Sequence, residues 1–108
     1  MKLMLVIVQD ADAGKLQAAL VEAKFQATKL ATTGGFLREG NSTFIIGVED
    51  KDVSSISDIV KRTCHQRTQT QAISPLAGSP EPYFSHVMDV SVGGAVMFVL
   101  NVESFERV

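Results

Sequence analysis

Two runs, "KLMLVIVQ" at residues 2–9 and "AVMFVL" at 95–100, constrain this chain most. Side chains alternate between the two faces of a strand, so a strand with one wet face reads apolar then polar. Neither run does. In the second, Val96, Phe98 and Leu100 point one way and Ala95, Met97 and Val99 the other, with no charge between 95 and 100. The first run therefore predicts a central strand, and both runs need cover on both faces. Neither is long enough to cross a bilayer, which takes about 20 apolar residues, and the opening is too short for a signal-peptide core. No membrane insertion is expected, and the expected location is cytoplasmic.

The residues between these runs set the element order. In "DADAGKLQAALVEAKF", Leu16, Ala19, Leu20 and Ala23 share one face at helical spacing, with Asp10 or Asp12 available as the N-cap, which predicts a helix over about 13–24. "QATKLATT" at 26–33 reads as a strand with Gln26, Thr28, Leu30 and Thr32 on one face. "STFIIGVE" at 42–49 reads as the next, joined to it through a loop at 34–41 whose glycines permit positive φ. A second helix is expected at about 52–65, with Val53, Ile56, Val60 and Cys64 in one stripe, Ile59 beside it, and Lys61 and Arg62 near its C-terminal dipole. Residues 67–85 hold all three prolines and form a long connection in which part of "TQTQAIS" is expected to pair as an edge strand. "HVMDVSVGG" and "AVMFVLNVESF" close the chain as two strands joined through Gly93 and Gly94.

Strand, helix, strand, strand, helix, strand or strand pair is the plan of an α+β, ferredoxin-like βαββαβ sandwich, and 108 residues fit one domain, 1–108. Two helices cover one face of a four-stranded sheet. The other face stays apolar, so sheet-facing association of identical subunits is expected.

Composition excludes several functions. The net charge of −2 gives no broad positive field for nucleic-acid polymers, and 6% aromatic residues do not furnish the stacking surface of an RNA-recognition domain. The single cysteine, Cys64, forms neither an intrachain disulfide nor the Cys-x-x-Cys loop of a metal chaperone, and reads as core packing. His65, at a helix end, and His86, beside a strand, suggest no nucleophilic constellation, and the "QDADAG" loop lacks the arginine that an acylphosphatase-like hydrolase needs.

The segment "ATKLATTGGFLREGNSTFIIGV" carries the binding chemistry. Gly34 and Gly35 expose backbone N–H groups in conformations that favour anions, Thr28 offers a hydroxyl, and Asn41 offers a donor and an acceptor for a nucleobase edge. Phe36 and Leu37 supply apolar walls, and Gly47 leaves a strand position where a planar group can approach the backbone. The same residues also suit a plain hairpin turn with Phe36 capping the core.

The 18-residue run "ATKLATTGGFLREGNSTF", with "VQD" and "VGGAVMFV", resembles the PII-like cyclic di-AMP receptor family, of the PstA or DarA type, and the likeness spans the chain. The resemblance implies a homotrimer that binds cyclic di-AMP in clefts between neighbours, a receptor and not an enzyme, signalling to a downstream protein that the sequence does not identify. It implies that Thr28 and the main chain around Gly35, Phe36 and Leu37 meet phosphate, that Asn41 and Gly47 recognise adenine, and that Phe98 lines the pocket. An arginine common in that family just before "ATKLATTGG" is replaced here by Gln26, which can donate only a neutral hydrogen bond and predicts weaker binding. Arg38 or Arg107 can bring positive charge instead. The alternative is a PII-like sensor of ATP or ADP.

Overall fold

The computed structural model describes residues 1–32, 40–73 and 86–108. Strand β1 (Lys2–Gln9) runs straight into helix α1 (Asp10–Glu22), followed by β2 (Thr28–Thr32) and β3 (Asn41–Val48). A 3₁₀ turn at Asp50–Asp52 leads into α2 (Val53–Cys64), then β4 (Arg67–Ile73), β5 (His86–Val92) and β6 (Ala95–Asn101). Four strands form an antiparallel sheet in the order β2-β3-β1-β6, which places the two doubly apolar runs side by side. This order, with both helices on one face, fits a ferredoxin-like fold.

Register separates the two faces. Met4, Val6 and Val8 of β1 lie beside Ile46, Phe44 and Ser42 of β3 and beside Val99, Met97 and Ala95 of β6. Leu16 and Leu20 of α1 and Ile56, Ile59, Val60 and Cys64 of α2 close over this face to form the core. Phe44, Val6, Ile46, Leu16 and Leu20 are fully buried, each worth about 1.5–3 kcal/mol of transfer free energy. The opposite face carries Leu3, Leu5 and Ile7, flanked by Ile45 and by Val96, Phe98 and Leu100. Phe98 and Leu100 are 41% and 45% exposed, on the face away from the buried core residues of α1 and α2.

Three expectations need correction. Helix α1 begins at Asp10, not near 13; its N-cap is Gln9 without a side-chain cap bond, and Ala23, expected on the buried face, is an exposed C-cap. Asp12 is no cap at all, because it is completely buried. "TQTQAIS" does become a strand, yet β4 pairs with β5 in a separate two-stranded ribbon and touches neither edge of the main sheet. A strand's own residues specify extended backbone, whereas its partner is chosen by the rest of the chain. The outline measures 64 × 23 × 19 Å with a radius of gyration of 18.0 Å, against about 13 Å for a compact chain of this length.

Candidate functional site

The end of α1 shapes the site. Lys24 N–H donates to the Val21 carbonyl at 2.9 Å and Phe25 N–H to the Leu20 carbonyl at 2.8 Å, the paired bonds of a Schellman turn. Such a turn puts one residue in the left-handed region, where glycine or asparagine is usual. Here it is Lys24, at φ 66°. The turn directs the chain through Gln26 into β2.

Beside it lies a groove of about 1120 Å³, bounded by the α1–β2 turn, the near ends of β1, β2 and β3, and the C-terminal tail. Its walls include Gln26, Thr28 and Gly47, three of the residues singled out from sequence. Gly47 leaves the backbone bare: a Cβ there would meet only the tip of Met1, at 3.3 Å. The tail is fastened by Val102 N–H to the Met1 carbonyl at 3.3 Å, and brings Phe105, 62% exposed, and Arg107 to the groove. Lys24 and Arg107 are the side-chain cations among the described lining residues, and no described carboxylate lines the groove. In a chain with 12 acidic and 10 basic residues, this is local selection for an anion.

The other candidates stand apart. Thr28, Ile45, Leu5 and Phe98 form one row across the open face by register, so Phe98 sits three strands, roughly 14 Å, from Thr28. Asn41 is at the far end of β3, six residues and about 20 Å from Gly47, and is 4% exposed. Gly35, Phe36 and Leu37, with Arg38, lie outside the described residues. One chain thus gathers Gln26, Thr28 and Gly47 into a groove and spreads Asn41 and Phe98 over the same sheet face. Lys24 and Phe105 were missed by the sequence reading. The available signal for Lys24 was "VEAKF", a helix end without glycine or asparagine, which forces some other residue into the left-handed position.

A second polar cluster lies at the other end of α1. Arg67 Nη2 and Nη1 donate to Asp12 Oδ1 and Oδ2 at 2.8 and 3.2 Å, and Lys15 Nζ is 3.7 Å from Asp12 Oδ1. The hydrogen bonds from Arg67 hold the Asp12 carboxyl below the usual carboxylate range, against the opposing effect of burial. Burial pushes the Cys64 thiol up, so this 1%-exposed side chain is a neutral part of the core. Among the described residues no group of three His, Cys, Asp or Glu is placed to hold a metal ion, and no helix is long and apolar enough to cross a membrane.

The sequence model of the cyclic-di-AMP receptor family matches residues 1–108. The chain belongs to the cyclic-di-AMP receptor family. Membership gives the chain a ligand class, cyclic di-AMP, and implies a binding, non-catalytic role. The chain is also similar to a functionally unknown protein from Pediococcus pentosaceus ATCC 25745, with 41% identity over 99% of this chain and 96% of that one, and a TM-score of 0.78 between the two structures. As a receptor of this family the chain needs a surface that neutralises two phosphodiester charges and faces two adenines. The groove carries Lys24 and Arg107, bare backbone at Gly47 and the aromatic Phe105.

Proposed function

We propose that this chain is a cytoplasmic, non-catalytic signalling receptor that binds cyclic di-AMP between subunits of a homotrimer. The observation that carries this reading, given the family, is that Gln26, Thr28 and Gly47 line one groove free of described carboxylates at the margin of an uncovered apolar sheet face.

Placement of the remaining candidates favours a shared site. By strand spacing Phe98 is about 14 Å from Thr28, and Asn41 is about 20 Å from Gly47, of their own chain. Docking a second open face beside the first brings one copy's β6 to another's groove and covers the exposed leucines in the same step. In this reading Thr28 and the main chain near Gly35, Phe36 and Leu37 hold phosphate, Asn41 and Gly47 meet adenine, and Phe98 closes the pocket. Ligand binding then shifts the population toward a surface that a partner protein reads.

Titration calorimetry with cyclic di-AMP, cyclic di-GMP, ATP and ADP tests this. The expected result is tightest binding of cyclic di-AMP at one molecule per subunit. Preference for ATP or ADP would sink it. Thr28→Ala should weaken binding about fivefold, the equivalent of one neutral hydrogen bond, with no loss of fold. Asn41→Ala is a less clean probe than its sequence suggests, because a residue 4% exposed also contributes packing.

A further inference from the structure

Two observations at the groove are unexplained by the fold alone. The first is a lysine in the left-handed turn after α1, where backbone strain disfavours any side chain with a Cβ. The second is an arginine carried to the same groove by the C-terminal tail. Neither Lys24 nor Arg107 has an ion-pair partner among the described residues. Gln26, on the wall between the turn and β2, contributes no charge.

We propose that Lys24 and Arg107 are the anion clamp of this groove, together gripping a phosphodiester, and that the strain at Lys24 is retained because the turn aims an ammonium group at the ligand. This rests on the anionic-ligand reading above and adds which residues supply the charge. Strained residues persist where their surroundings hold them, and cluster where ligands are clamped. The competing role for Lys24 is structural: α1 has no basic residue in its last turn, so a cation just beyond it complements the helix dipole. These roles separate experimentally. A dipole partner or solvated lysine contributes to stability and not to ligand affinity.

Lys24→Gly and Lys24→Asn both suit the left-handed turn, so each should melt no lower than the parent chain. Each should nevertheless bind cyclic di-AMP about tenfold more weakly, as should Arg107→Gln, with a shallower dependence of affinity on salt. Adding Gln26→Arg to Lys24→Gly should restore affinity, because the guanidinium then enters the same groove from the neighbouring wall. Parent-like affinity in Lys24→Gly and in Arg107→Gln, with Thr28→Ala still weakened, overturns the clamp and leaves the receptor reading standing. If the parent ignores cyclic di-AMP but binds inorganic pyrophosphate or ATP, and both variants lose that binding, the receptor reading falls and the clamp stands. Binding of none of these anions overturns both.

Discussion

At Asp12 a carboxylate occupies the buried stripe of α1, and Arg67 is what keeps it ionised there. Asp12, Leu16 and Leu20 follow one another at four-residue spacing, and all three are completely buried. Removing the guanidinium would strand a charge among apolar side chains, so Arg67→Ala should destabilise the fold by about 1–3 kcal/mol; Arg67 is itself about one third exposed, which keeps the figure modest. The Asp12 carboxyl has its pKa depressed in the folded state. Its contribution is therefore present above the unfolded value of about 3.9 and is lost as pH falls through the lower folded one. Melting curves of the parent and of Asp12→Asn should accordingly differ by a constant amount between pH 5 and 7 and converge below about pH 4; a gap that widens in acid would contradict this. The sequence offered Asp12 as a helix cap because an acidic residue ahead of an apolar run is ordinary cap chemistry. The 12–16–20 spacing pointed inward instead, but the main partner that makes that burial tolerable is 55 residues away, with Lys15 nearby as the weaker one, and no local pattern reveals the distant partner.

The β4–β5 ribbon is held to the body at its base. Arg67 reaches α1, Gly94 N–H donates to the Cys64 carbonyl at 2.6 Å, Gly93 N–H donates to Gln9 Oε1 at 2.6 Å, and Gln66 Nε2 donates to Ser91 Oγ at 2.7 Å. Gly93 is at φ 80°, and a Cβ there would stand 2.5 Å from both the His65 carbonyl oxygen and Arg67 Nη1. The carbonyl cannot swing away as a side chain can. Gly93→Ala should therefore cost about 2 kcal/mol or more and lower the melting temperature by roughly 10 °C, while hydrogen exchange should quicken first in β4 and β5. Unchanged exchange in the ribbon would show that its base is fixed by other contacts. The helices and the four main strands were legible to within a few residues because their periodicity is local. The ribbon was only half legible: "TQTQAIS" announced a strand, but whether it joins the sheet or a hairpin is decided by the distance to β5 and by the glycine pair that turns β5 into β6.

For the whole molecule, the doubly apolar β1 and β6 were the informative signal, and the face opposite the helices bears them out with exposed Phe98 and Leu100 beside Leu3 and Leu5. Leu5 lies mid-face between Ile45 and Phe98 and is half-buried in the single chain. Leu5→Asp should leave the helix-covered core intact and still yield monomers at micromolar concentration in sedimentation velocity, where the parent is expected to sediment as a trimer, since burying an unpaired carboxylate costs several kcal/mol. A parent that sediments as a monomer would remove the shared-site reading. The scatter of Asn41 and Phe98 away from Thr28 was illegible because motif spacing along a strand says nothing about which strands lie between. The junction of Met1 with Val102 has a practical corollary: Met1 and the tail residues Phe105 and Arg107 all border the groove. A purification handle fused to either end, above all a histidine-rich one, would hang over the opening as a competing or occluding peptide, so affinities measured before and after its cleavage are expected to disagree.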